Sequence, residues 1–114
     1  MLVYYYTMTN KWYTKTEQNL FQAFLLLKTE EEVAAFCRDL MTSGEITEFA
    51  ARWQVAQQLA LGKPQRQVAS EQKVSLATVT RVNQWLKRGM DGYKNTLLKI
   101  NKTHSHHKVA QAAL

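Results

Sequence analysis

The side chains best suited to bind a charged partner are concentrated between residues 65 and 81. They combine cations, hydroxyl groups, an amide and small apolar groups, namely Gln65, Arg66, Lys73, Ser75, Leu76, Ala77, Thr78, Thr80 and Arg81. Arginine and lysine bind phosphate oxygens, whereas hydroxyl and methyl groups can meet base edges in the major groove. This combination indicates double-stranded DNA as the partner, and we expect all nine residues to lie at the contact.

The apolar residues of the same segment predict two short helices joined by a tight turn. Val68, Ala69, Val74, Val79 and Val82 fall where two steeply crossing helices would bury side chains against each other. The small Ala69 would let the helices approach closely. The pattern is typical of a helix-turn-helix, which places its second helix in the major groove; an ordinary helical hairpin is the simpler alternative.

Two residues of the turn between the helices, Lys73 and Ser75, have predicted structural roles. Lys73 occupies the position that tends to need positive φ, where any residue but glycine costs about 1 kcal/mol. Ser75 can cap the second helix by accepting a backbone N–H hydrogen bond. We expect phosphate contacts from Gln65, Arg66 and Lys73, and contacts to base edges from Ala77 and Thr78.

The charge of the chain is distributed unevenly between its two halves. Residues 1–50 contain four basic and seven acidic side chains, whereas residues 51–114 contain eleven basic and two acidic ones. The half that carries the predicted helix-turn-helix therefore has a net charge of +9. A polyanionic partner accounts for this coincidence of charge and motif.

The remaining pattern predicts an all-α protein of one domain, residues 1–114. Three capping boxes, Thr14-x-x-Glu17, Thr29-x-x-Glu32 and Thr42-x-x-Glu45, mark three helix starts. The predicted helices cover residues 15–28, 30–41, 44–61, 64–72, 76–88 and 92–101. An N-terminal arm, residues 1–13, precedes them, and a flexible tail, residues 102–114, follows.

The first two predicted helices have wide apolar faces rich in leucine and phenylalanine. A small monomer has too little chain to cover them. We therefore expect a homodimer in which residues 14–61 provide the dimerisation helices. Two recognition helices can then reach half-sites about one helical turn apart.

Other classes of function have little support. Cys37 is the sole cysteine, so an internal disulfide is excluded. Neither a membrane span nor a signal peptide is recognisable, so we expect a cytoplasmic protein with no membrane partner. Phosphate-binding loops, nucleophile motifs and paired carboxylates are also missing, so no enzyme is expected. His104, His106 and His107 lack the companion ligands of a metal site, and no metal is predicted.

Several segments together resemble the Trp repressor superfamily, and more closely its YerC/YecD-type branch. They are LFQAFLLL, DLMTSGEITEFAARWQVAQQLALGK, SLATVTRVN and GMDGY, which extend over residues 20–100. The resemblance implies an intertwined, all-helical dimer with a helix-turn-helix head that reads DNA. It also implies a transcriptional regulator, most simply a repressor.

The resemblance raises the question of a corepressor. In the tryptophan-responsive member two arginines sandwich the indole, and Arg52 and Arg81 match their positions here. The residue after the second arginine is glycine in that member but Val82 in this chain, and the glycine-rich turn is replaced by Gln72-Lys73-Val74. These departures predict DNA binding without tryptophan or another cofactor. Two alternatives stay open: a repressor gated by tryptophan or a related small molecule at Arg52 and Arg81, and a helix-turn-helix module that binds a protein.

Overall fold

The computed structural model describes the backbone of residues 11–113 and the side chains of residues 11–103. Within this range the chain forms helices and no strand: α1 (Lys15–Leu25), α2 (Glu30–Leu40), α3 (Ser43–Ala60), α4 (Gln65–Gln72), α5 (Leu76–Arg88) and α6 (Gly92–Ala113). The all-α class predicted from the sequence is confirmed. Residues 1–10, most of the predicted N-terminal arm, lie outside the described residues.

The described chain divides into two compact units, one that ends at Ser43 and one that begins at Gly44, where the sequence predicted one domain. The first unit contains α1 and α2. The rings of Phe24 in α1 and Phe36 in α2 pack edge to face, with their centroids 5.2 Å apart. Neither helix buries a residue completely. Because no side chain of α1 or α2 is fully buried, the first unit has no closed apolar core, and the chain divides into two units for this reason.

Only one of the two capping boxes that open α1 and α2 has the expected geometry. At α2 the Thr29 hydroxyl accepts the N–H of Glu32 at 3.1 Å, and the Glu32 carboxylate accepts the N–H of Lys28 at 2.7 Å. At α1 the Thr14 hydroxyl donates to the Glu17 carboxylate and caps no backbone N–H. That hydrogen bond holds the pKa of Glu17 below its ordinary value.

Helix α1 ends at Leu25, three residues before the predicted end. Its carboxyl end is closed by the N–H groups of Leu26 and Leu27, which bond to the carbonyls of Ala23 and Phe24. The residues after Leu27 lead directly into α2, since Thr29 already has the extended backbone of an N-cap. The predicted end at residue 28 was wrong, because the apolar pattern of α1 continues past Leu25 into the residues that lead to the N-cap of α2.

The second unit has a small core built from three of its helices. Val55 and Ala56 of α3, Val68 of α4, and Val79 and Val82 of α5 are all at most 2% exposed. Further apolar residues pack against them from the edge: Trp53, Leu59, Ala69, Val74 and Tyr93. This core fixes the positions of α4 and α5, which carry the predicted contact residues.

The last helix is much longer than predicted. Residues 92–101 were expected to form it, but α6 continues to Ala113, so the predicted end was wrong. The stretch from residue 102 lacks apolar periodicity, but it contains neither glycine nor proline and includes three alanines, two lysines and one glutamine. Such residues favour a helix even without a buried face. His104, His106 and His107 lie in this stretch, outside the described side chains.

Candidate nucleic-acid interface

Helices α4 and α5 form the predicted helix-turn-helix, and Lys73 lies at the turn between them. Lys73 ends α4 in the left-handed region, with φ 56° and ψ 45°. Its N–H bonds to the Ser70 carbonyl at 3.4 Å, and the N–H of Val74 reaches the Ala69 carbonyl at 3.1 Å. The expectation of positive φ at this position is confirmed, and the exposed lysine side chain projects from the turn.

Ser75 caps α5, as the sequence predicted. Its hydroxyl accepts the N–H of Thr78 at 3.1 Å and lies 2.9 Å from the Thr78 hydroxyl. Thr78 is half-buried in consequence, and its hydroxyl already has a partner within the chain. Ser75 therefore has a structural role beside any contact with DNA, and Thr78 offers DNA chiefly its methyl group unless the pair opens.

The apolar pattern that predicted a close helix crossing is confirmed at all five positions. Val68, Val79 and Val82 are buried between α4 and α5, with Ala69 and Val74 packed against them. Burying one face of α5 leaves the opposite face to solvent. That face carries Ala77, Thr80, Arg81 and Gln84, all of them exposed; they lie at i, i+3, i+4 and i+7 and so line one stripe of the helix.

Gln84 was missed by the sequence analysis, although its spacing from Ala77 and Thr80 could have identified it. Glutamine can form a bidentate pair with adenine in the major groove. Leu76, at the start of α5, is 42% exposed and lies beside this stripe. The exposed face thus offers one apolar, one hydroxyl, one guanidinium and one amide group in succession.

The predicted phosphate-binding residues lie near the amino end of α4 and in the turn. Arg66 and Lys73 are exposed and make no ion pair among the described residues. Gln65, the first residue of α4, accepts a hydrogen bond from the Thr80 hydroxyl at 3.0 Å. Two free cations and one oriented amide therefore flank the exposed face of α5.

A carboxylate also lies within this head. Glu71 accepts hydrogen bonds from Gln67 at 2.8 Å and from Lys63 at 3.2 Å, so it ties α4 to the segment before it. The Gln67 amide, followed by the Lys63 ammonium, holds the pKa of Glu71 below its ordinary value. The pairing leaves a negative charge near the cations that would meet phosphates.

The structure brings Arg52 of α3 and Arg81 of α5 to one small cavity of about 130 Å³. Val82, Glu48 and Thr78 also line it, together with Trp85 and Tyr93. Arg52 is already engaged, since its guanidinium pairs with Glu48 at 2.6 Å and lies 5.5 Å from the centre of the Phe49 ring. The cavity is smaller than an apolar void of about 150 Å³ that accepts benzene, and an indole is larger than benzene.

A larger apolar groove adjoins this cavity. It encloses about 450 Å³ and is lined by Trp53, Trp85, Gly89, Met90, Gly92, Tyr93 and Thr96. The rings of Trp53 and Tyr93 stack with their centroids 6.2 Å apart, whereas Trp85 is 58% exposed. Of the two tryptophans, Trp53 belongs to the core edge and Trp85 stands open at the surface.

Among residues 11–113, no helix is long and apolar enough to cross a membrane. Among the described side chains, no group of histidine, cysteine and carboxylate residues is placed to hold a metal ion.

Comparison with known proteins agrees with this geometry. The sequence model of the family described as Trp repressor protein matches residues 15–101. The uncharacterized protein YerC of Bacillus subtilis (strain 168) is 35% identical over 91 residues, which are 80% of this chain and 88% of YerC. The crystal structure of a TrpR-like protein from Eubacterium eligens ATCC 27750 superposes with a TM-score of 0.75 at 35% identity, covering 81% of this chain and 95% of that one. The crystal structure of a protein from Staphylococcus aureus superposes with a TM-score of 0.74 at 34% identity, covering 78% of this chain and 89% of that one.

Proposed function

Because the chain belongs to the Trp repressor family, a family of regulators and not of enzymes, we propose that it is a homodimeric, sequence-preferring transcriptional regulator, a repressor in the simplest case. The observation that carries this proposal is the exposed face of α5. It begins at a capped helix end and is flanked by Arg66 and Lys73, two cations without partners among the described residues. We also propose that it acts in the cytoplasm.

The two kinds of contact residue have separate tasks in this proposal. Arg66 and Lys73, with Gln65, bind phosphates and so set the position of the head on the duplex. Ala77 and Thr78 meet base edges, where a methyl group fits against thymine. Leu76, Thr80 and Arg81 border the same face, and Ser75 holds the helix end in shape. Short side chains at the centre favour modest direct readout supplemented by bridging water.

The dimer is proposed on the apolar surface that a single chain leaves uncovered. Leu25 and Leu26 in the first unit are 82% and 76% exposed. In the second unit an apolar groove of about 360 Å³ runs beside α6 and includes Leu97 and Leu98. A soluble monomer rarely exposes large apolar patches, and a second copy of the chain would cover them. Two α5 helices could then reach half-sites about 34–36 Å apart.

The regulator is proposed to bind DNA without tryptophan. Val82 lines the cavity between the two arginines, and the Arg52 guanidinium that would stack on an indole is paired with Glu48. Forcing a ring into such a site costs about 1–3 kcal/mol in overpacking. Arg81, which lies on the exposed face of α5, is therefore available for DNA.

Selection from a pool of random duplexes tests the proposal. We expect a palindromic sequence to be enriched and to bind two chains per duplex. Its affinity should fall steeply with salt, because each phosphate neutralised adds about −0.9 to the logarithmic slope. Thr78→Ala should change the preference at one base pair, whereas Arg66→Ala should weaken all duplexes alike. A head that binds a protein instead would enrich no duplex and show little salt dependence.

A further inference from the structure

One hydrogen bond joins the two helices of the head at the surface. The Thr80 hydroxyl of α5 donates to the Gln65 carboxamide oxygen of α4 at 3.0 Å. Among the described residues it is the one side-chain hydrogen bond between these helices. Thr80 is exposed and Gln65 half-buried, so the pair lies at the rim of the contact face and not in the core.

The Gln65 side chain meets Thr80 through its carboxamide oxygen. A carboxamide carries an acceptor oxygen on one side and two N–H donors on the other. When Thr80 holds the oxygen, the NH₂ group must point away from Thr80. The two N–H donors have no partner among the described residues, and donors of this kind bind phosphate oxygens.

A second feature of the same place favours an anion. Pro64, at the N-cap of α4, makes no side-chain hydrogen bond to the first N–H groups of the helix. Free N–H groups and the positive end of the helix dipole attract negative charge. The oriented amide and the uncapped helix end therefore present donors from the same turn of the chain.

We infer, as an extension that rests on the proposed function, that Thr80 is a positioning residue that acts on DNA through Gln65. The hydrogen bond holds a three-torsion side chain in the rotamer that binds a phosphate, so less rotamer freedom is lost when DNA binds. It also links the phosphate contact of α4 to the helix that reads the bases. The pair acts through a neutral amide, which separates it from the cations Arg66 and Lys73.

A double-mutant cycle on the full chain tests this inference, with affinity for a selected duplex as the readout. Thr80→Val keeps the shape and removes the hydroxyl, Gln65→Ala removes the amide, and Thr80→Ser keeps the hydroxyl as the matched control. We expect about a fivefold loss for Thr80→Val, because ordering one rotamer-rich side chain on binding costs about 1 kcal/mol. The loss should shrink to less than twofold in the Gln65→Ala background, and Thr80→Ser should retain wild-type affinity.

Three further readouts separate positioning from other roles. The salt slope should not change in Thr80→Val, because no charge is removed, and the fold loss should be the same on selected and scrambled duplexes. The melting temperature should hardly move, since an exposed hydrogen bond adds little stability. Thr80→Ala gives a second test if the valine variant misfolds.

The failures of the two proposals are distinguishable. If the wild type binds a selected duplex but Thr80→Val and Gln65→Ala losses simply add, Thr80 contacts DNA by itself and the inference is wrong. If the wild type binds no duplex at all, the proposed function fails first and the inference fails with it.

Discussion

Arg52 and Arg81 lie on different helices but line one cavity of about 130 Å³, and the guanidinium of Arg52 is held there by Glu48 at 2.6 Å. The two arginines that could wall an indole thus line the same small cavity. Val82, whose branched side chain is 2% exposed and part of the core, also lines this cavity. The ion pair and the small volume are the basis for proposing DNA binding without tryptophan.

The first prediction therefore concerns tryptophan. We expect millimolar L-tryptophan to change the affinity of the wild type for its selected duplex by less than twofold. Val82→Gly would open the slot, but it removes a buried side chain and adds helix flexibility, which together cost several kcal/mol of stability. Val82→Ala is the milder probe, and calorimetry should detect weak tryptophan binding only in the variants. A marked tightening of the wild type by tryptophan would restore the corepressor hypothesis.

The second prediction separates the two roles of Lys73. Its left-handed backbone is costly for any residue but glycine, so Lys73→Gly should raise the free energy of unfolding by about 1 kcal/mol over Lys73→Ala. Both variants lose the ammonium group, so both should weaken all duplexes alike and lower the salt slope by about 1. Denaturant unfolding and binding titrations of the matched pair measure the two effects. Equal stability of the two variants would argue against backbone strain at this turn.

The fold of the head could be predicted because its signals are local. A serine before an apolar run indicated the cap of α5, and the predicted bounds of that helix, residues 76–88, agree with the structure. The Glu48–Arg52 pair was missed, although its i, i+4 spacing is a recognised signal. The Thr80–Gln65 bond could not be predicted, because it joins side chains fifteen residues apart whose rotamers depend on the finished crossing of α4 and α5. For the same reason the cavity between the two arginines is visible only in the folded chain.

The third prediction concerns the carboxylate of the head. Glu71→Gln removes a negative charge near Arg66 and Lys73 and frees Lys63, so DNA affinity should rise several-fold at low salt and less at high salt. Gln67→Ala is the control, because it removes a hydrogen bond to Glu71 while leaving the charge. Unchanged affinity in Glu71→Gln across the salt series would mean that this side of α4 faces away from the duplex.

The same carboxylate gives a pH dependence of stability. Its pKa is lowered in the folded chain, so its hydrogen bonds stabilise the fold above the ordinary carboxyl pKa of 4.5, and that contribution is lost as the pH falls through the lowered value. The stability difference between wild type and Glu71→Gln should be constant above about pH 5.5 and shrink below it. Thermal melting between pH 3 and pH 7 measures this difference. A difference that grew on acidification would contradict the assigned direction.

The last prediction concerns the homodimer. The mutation that tests it must replace an apolar residue that the single chain leaves exposed. Phe24 is a poor site for a disrupting mutation, because its ring packs against Phe36 within the same chain and a carboxylate there would damage the unit itself. Leu25 is 82% exposed, so Leu25→Glu should leave the isolated chain folded. If a second copy covers Leu25, the variant buries an unpaired carboxylate at the interface, at a cost of several kcal/mol.

Sedimentation at micromolar concentration is the measurement. We expect the wild type at about twice the chain mass of 13.2 kDa and Leu25→Glu at the monomer mass, with a helical circular dichroism spectrum and much weaker binding to the palindromic duplex. Gln22→Glu, an exposed polar position on the same helix, adds the same charge and should remain dimeric. A wild type that sedimented as a monomer yet bound the palindrome tightly would refute the dimer, and so would a Leu25→Glu variant that kept the wild-type mass.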